Sequence, residues 1–106
     1  MSKVARCVGS DVPPIPLKVL AARRIEWGVI VDAYLTNVAK VGARYSAIAF
    51  ADRSGLIGDG EIVATPPARP VEEQQGFVLL QSYCGRDHYV VVSWLEADDA
   101  GAFPGP

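Results

Sequence analysis

The densest cluster of reactive side chains is Tyr83-Cys84-Gly85-Arg86-Asp87-His88, which holds the only histidine and one of the two cysteines. Cysteine with histidine suggests a nucleophile and its base, and that chemistry needs the two side chains within hydrogen-bond reach. The flanking segments, Phe77 to Cys84 and Asp87 to Leu95, read as strands around Gly85-Arg86. Glycine at the first central position suits a two-residue type II′ hairpin. In that register Tyr83 faces His88, Gln81 faces Val90, Leu79 faces Val92 and Phe77 faces Trp94, while Cys84 opposes Asp87. Cys84 and His88 then point to opposite faces and make no dyad. The cluster reads as the polar tip of a hairpin, and no catalytic residue is expected; a small enzyme using Cys84, Asp87 and His88 is the weaker rival.

Other constellations carry less. Structural zinc takes four N or S ligands, and two cysteines with one histidine cannot supply them, so no metal is expected. Gly55-Leu56-Ile57-Gly58-Asp59-Gly60 is glycine-rich but lacks the Lys-Ser/Thr of a phosphate loop, so it reads as turns and no cofactor is expected. Asp32 interrupts an apolar run and reads first as an edge or solvent-facing carboxylate, second as the lining of a pocket beside Tyr34. Arg23-Arg24 with Lys18 form the main basic concentration. Aromatics on strands could stack single-stranded nucleic acid, but that needs interleaved cations, and the strands show almost none. Core packing is the better account of Trp27, Phe77 and Trp94. The residues expected to touch a partner are Tyr83, Arg86 and Tyr89 near the hairpin tip, with Tyr34, Arg23 and Arg24.

These residues need a scaffold, and length bounds it. A chain of 106 residues holds one domain at the usual size. Apolar residues make up 50% and charged residues 21%, which excludes a disordered tail. Ten Lys and Arg against twelve Asp and Glu give a net charge of −2, which argues against a dedicated nucleic-acid binder. No apolar run approaches the roughly 20 residues of a spanning helix, and Lys3 and Arg6 are not followed by the apolar core of a secretory signal. The expected compartment is the cytoplasm, where Cys7 and Cys84 stay reduced.

Residues 1–14 read as a flexible arm, 15–96 as a single β-rich domain, and 97–106 as a second arm. Ile15 to Ala22 fits a short strand or a helical turn. From Glu26 to Thr36 the apolar side chains alternate at period two and β-branched residues are dense, which predicts a strand. Thr36 to Gly42 reads as a loop. Ala43 to Asp52 resumes alternation with Tyr45, Ala47, Ala49 and Ala51 on one face; such a flat face lets a layer approach closely or leaves a shallow groove. Asp59-Gly60 is a turn pair. Glu61 to Thr65 is a short strand, and Pro66, Pro67 and Pro70 mark an edge or a loop. Val71 to Glu73 leads to a turn at Gln74-Gln75-Gly76. Both faces of the final hairpin are apolar, so it is expected to be covered on both sides or to sit at the seam of a barrel or dimer. The fold expected is all-β, five or six antiparallel strands in a small barrel or sandwich. The alternative is α+β, with a helix over 27–41 on a four-stranded sheet.

Asp59-Gly60-Glu61-Ile62-Val63-Ala64-Thr65-Pro66, followed by Gly76 to Ser82 and then Tyr89-Val90-Val91, resembles small uncharacterised proteins of phages and prophages. The resemblance covers about the last half of the chain. It departs from that pattern at Pro66-Pro67, where a serine is common, and it implies a phage-like setting without assigning any catalytic residue. The function expected is a non-catalytic protein-binding module that modulates a host protein or defence complex by occupying its surface. The alternative is a self-associating accessory module, a homodimer through the C-terminal hairpin.

Overall fold

The computed structural model describes residues 15–95. The two expected arms, 1–14 and 97–106, and Cys7 with them, lie outside the described residues. One short helix, α1 (Leu17–Arg23), precedes six strands: β1 (Ala33–Val41), β2 (Arg44–Phe50), β3 (Glu61–Ala64), β4 (Ala68–Gln74), β5 (Phe77–Ser82) and β6 (His88–Val91). They form one sheet in the order β3-β2-β1-β6-β5-β4. The described residues are all-β apart from that helix.

The sheet is mixed rather than wholly antiparallel. Each half is an antiparallel meander, β1-β2-β3 and β4-β5-β6, and the two join where β1 and β6 run parallel. Alternation in sequence tells which face a side chain takes, not which way the neighbouring strand runs. β3 and β4 lie at opposite edges of the order, yet only Thr65-Pro66-Pro67 joins them. At about 3.3–3.6 Å per residue this link reaches at most ~14 Å, so the sheet curls until its edges approach at one corner. Hydrogen bonds stitch that corner: Thr65 N–H to Tyr45 O (2.8 Å), Ala68 N–H to Ala43 O (2.9 Å) and Tyr83 N–H to Pro67 O (3.0 Å). The prolines cost the corner no sheet bond, because they have no N–H to donate. Pro70 sits on the edge strand β4 beside a register shift, where a missing donor is tolerated.

The first strand lies later than its alternation predicted. Residues 24–32 are not a strand, and β1 runs from Ala33 through the expected loop to Val41, which also excludes a helix over 27–41. The continuation past Thr36 is hidden by a bulge. The register against β2 shifts between Thr36 and Ala39, with Asn37 at φ 52°. One inserted residue reverses the facing of everything beyond it, so the period-two pattern fails in sequence although the strand continues. The segment open between strand and helix is helix: Pro16 sets the extended N-cap, and Val19 and Ala22 bury one face. A helix this short is marginal by itself; packing on the sheet holds it.

The final hairpin is present with a different turn. Its loop is the four residues Tyr83 to Arg86, with Ser82 N–H bonded to Asp87 O at 2.9 Å across its base; inside it Gly85 N–H bonds Ser82 O at 2.8 Å, and Gly85 takes φ 83°. Gln81 therefore faces His88, Leu80 faces Tyr89 and Leu79 faces Val90. This two-residue displacement from the expected register leaves every side chain on its expected face. Both faces are covered within the chain. Leu80 and Val91 join Ala33, Leu35, Val38, Tyr45, Ala47, Ala49 and Ala68 in one core; Leu79 and Val90 join Val19, Ala22, Trp27, Phe50 and Val92 in a second core under the helix.

Candidate functional site

The N-terminal ends of the parallel pair β1 and β6 meet the 51–60 loop on the side of the first core. Asp32 organises the junction. Its N–H donates to His88 O (2.7 Å), its carbonyl accepts from Arg53 N–H (2.7 Å), and its Oδ2 accepts from His88 N–H (2.9 Å). Asp52 holds the loop: its Oδ2 accepts from Ser54 Oγ–H (2.6 Å) and Ile57 N–H (3.1 Å). The Ser54 bond first, and the loop's backbone N–H groups with it, hold the Asp52 carboxyl below the usual aspartate range. Asp59 closes the same loop, its Oδ1 accepting from Ala51 N–H at 2.8 Å.

Between these elements lies a cavity of about 240 Å³. Its floor is Ala33, Leu35 and Ala49, with Ile57 and Val63 on its walls; its rim carries Asp32, Asp52, Asp87, Tyr89 and Arg53. The alanine face of β2 thus packs closely where the core is full and leaves a hollow at Ala49. Burial first, then the carboxylates of Asp87, Asp32 and Asp52, push the Tyr89 phenol up to about 12, so it stays a neutral hydroxyl. Asp32 faces this cavity beside Tyr89 and not Tyr34, which packs against the second core. A shallower hollow shares Asp32 and Arg53 and is walled by Val29, Ile30, Arg86 and His88.

The six residues expected to touch a partner fall into two groups. Tyr83 and Arg86 are exposed and Tyr89 half-buried around the β5–β6 loop. Tyr34, Arg23 and Arg24 lie at the helix side of the sheet, close enough that the Arg23 charge offsets part of the rise that burial causes in the Tyr34 phenol. Cys84 and His88 engage different residues. Cys84 Sγ lies 3.2 Å from Ser82 Oγ, and His88 Nε2 lies 3.2 Å from Gln81 Nε2. The Ser82 hydroxyl, and then the Arg86 N–H, lower the exposed Cys84 thiol below its ordinary value. Among the described residues, no three His, Cys, Asp or Glu side chains are placed to hold a metal ion.

The curled corner builds a second feature that the sequence reading missed. Lys40 stands 5.5 Å over the Tyr45 ring, Arg69 stands 5.8 Å over the Tyr83 ring, and Tyr45 meets Trp94 at 6.4 Å between centroids. Arg44 reaches the Thr65 carbonyl at 3.4 Å. Burial first, and then the Tyr83 phenol, raise the Tyr45 phenol above its ordinary value. Trp94 is 47% exposed and Tyr83 59% exposed, with Val41 and Leu95 also open. Trp94 is therefore not a core residue, unlike the buried Trp27, because the strand ends at Val91 and Trp94 makes only an isolated bridge to Val38. Cations do accompany the aromatics, since β1 brings Lys40, β2 Arg44 and β4 Arg69. Part of this was legible: Gly42 at φ 64° turns a tight hairpin that sets Lys40 opposite Tyr45, a turn signal that the loop reading of 36–42 passed over.

No protein-family model, no curated protein and no solved structure matches this chain.

Proposed function

We propose that this chain is a non-catalytic protein-binding module that contacts its partner through the Tyr83–Trp94 strip. The observation that carries the reading is the pair of half-exposed aromatics at one corner, Tyr83 with Arg69 over its ring and Trp94 against the Tyr45 ring that Lys40 covers, with Arg44 bonded to the Thr65 carbonyl of the same corner. Tyr, Trp and Arg are the residues that dominate binding energy in protein interfaces. Ring and guanidinium contacts hold these side chains before binding, so less rotamer freedom is lost on association. Three cations favour a partner with an acidic surface. In the phage-like setting of the resemblance, that partner is a host protein or defence complex.

The test is capture of binding proteins from host lysate on the immobilised chain, with Tyr83→Ala and Trp94→Ala as controls. A specific protein retained by the native chain and lost with either variant supports the reading. Capture unaffected by both variants refutes it. So does retention of nucleic acid alone, with an affinity that falls steeply as salt rises.

Self-association is the second reading, and it rests on the edge strand β3 rather than on the final hairpin. The apolar hairpin is buried within the chain, whereas β3 is an edge strand with Ile62 79% exposed. Light scattering across concentration, with Ile62→Lys as the control, distinguishes a dimer through that edge from a monomer. No helix among the described residues is long and apolar enough to cross a membrane.

A further inference from the structure

The cavity at the β1–β6 junction has a chemistry of its own, separate from the aromatic strip. Its floor is hydrocarbon: Ala33, Leu35 and Ala49, flanked by Ile57 and Val63. Its rim sets three carboxylates, Asp32, Asp52 and Asp87, against one guanidinium, Arg53. The carboxylates are not all spent on the fold. Asp52 is committed to its own loop and Asp32 gives one oxygen to His88 N–H. Asp87 uses its backbone N–H on Ser82, and no described residue hydrogen-bonds its carboxylate. Tyr89 adds a ring at the same rim, and a phenol face attracts cations.

We propose that this cavity binds a small organic cation, a protonated amine carried on a short aliphatic stem. The stem lies on the alanine and leucine floor, and the ammonium sits at the rim between Asp87 and the free side of Asp32. Size limits the ligand. An apolar cavity of about 150 Å³ holds benzene, and drug-sized ligands take about 300 Å³ or more. At about 240 Å³ this one suits a ligand between those limits. An anion would meet three carboxylates, and a neutral alkyl group would leave them unused.

The experiment is an NMR titration of the isotope-labelled full chain with n-butylammonium chloride, and separately with n-butanol and sodium butyrate. Saturable amide shifts at Ala33, Ala49, Ile57, Val63 and Tyr89 are expected for the ammonium, with a dissociation constant on the order of 1 mM. The alcohol is expected to bind about tenfold more weakly, the difference between a charge-assisted and a neutral hydrogen bond. Asp87→Asn leaves the fold's hydrogen bonds in place and is expected to weaken the ammonium about three- to tenfold without changing the alcohol. Equal binding of ammonium and alcohol, tighter binding of butyrate, no effect of Asp87→Asn, or shifts scattered away from the cavity would each overturn the proposal. A blocked lysine, N-acetyl-lysine methylamide, separates the sources. Tighter binding than butylammonium assigns the cation to a protein side chain, and weaker binding assigns it to a free amine; both support the site.

Discussion

The cavity and the aromatic strip are built from one curled sheet and have opposite electrical character. Around the cavity, Asp32, Asp52 and Asp87 surround a floor of small side chains with Arg53 as the single cation. Along the strip, Lys40, Arg44 and Arg69 accompany large rings and half-exposed apolar side chains. A net charge of −2 suggests a surface with no strong preference. The structure sorts that charge into an acidic hollow and a basic, aromatic ridge. Binding follows local potential and shape rather than the total, so the overall charge excludes neither a cationic nor an anionic partner. The regions also differ in how they are held. Loop and strand-end hydrogen bonds through Asp32 and Asp52 fix the cavity, while the strip rests on ring contacts at a corner made by three linking residues.

The most severe way to break the comparison is to remove what both regions share. Leu80 is fully buried in the first core, which contributes the cavity floor and includes Tyr45. Leu80→Ala is expected to cost about 2–5 kcal/mol, seen in urea unfolding as a lower midpoint with an unchanged slope. Next come changes that separate the regions. Trp94→Ala is expected to weaken the captured partner by about 2 kcal/mol or more, as a hot-spot residue does, and to leave the butylammonium titration unchanged. Loss of both would show that the strip and the cavity are not independent.

Asp32→Ala acts on the other side. It leaves the His88 N–H without its side-chain acceptor, at an expected cost of about 1–3 kcal/mol. The accompanying amide shifts should gather at Arg53 and His88, and capture through the strip should persist.

Titration gives the smallest and most local effects. Asp52 is depressed in the fold, so its contribution is in full above the ordinary aspartate value, about 3.9 in an unfolded chain. It is lost as pH falls through the lower folded value, and Asp52→Asn should flatten that part of the acid stability profile. Tyr89 runs the other way. Its phenol is raised to about 12, so stability is expected to fall as pH rises from about 10 towards that value. Tyr89→Phe should remove this alkaline loss and one late step in phenolate absorbance. Neither change should touch the strip.

Much of the scaffold was legible because its signals are local. The strands expected over Ala43 to Asp52 and Glu61 to Thr65 are present as Arg44–Phe50 and Glu61–Ala64. Gln75-Gly76, with φ of 53° and 85°, turns where glycine promised a turn, and Gly60 at φ 90° does the same after Asp59. The doubly apolar hairpin is covered on both faces within the chain, the first of the two settings its pattern offered, the other being the seam of a barrel or dimer. The misreadings have local causes too. A bulge at Asn37 hid the second half of β1, and a four-residue loop over Tyr83 to Arg86, in place of the expected two-residue turn, displaced the hairpin register by two residues. Of the six residues chosen as partner contacts, Tyr83 lies on the strip and Tyr89 at the cavity. Their neighbours there were not legible, because they come from other strands.

By itself the sequence determined that the chain forms strands, which side chains an unbulged strand turns inward, and where glycines and prolines bend or end it. Those properties depend on period-two geometry and on single-residue backbone freedom, which any short stretch carries within itself. Tertiary structure alone decided that β1 and β6 run parallel and that Thr65-Pro66-Pro67 brings opposite edges of the sheet to one corner. Those two facts assemble Asp32 with Asp52 and Asp87, and Lys40 with Arg69, Tyr83 and Trp94. Neighbours across a sheet are set by strand order and direction, and an alternating pattern is the same whichever strand lies beside it and whichever way that strand runs.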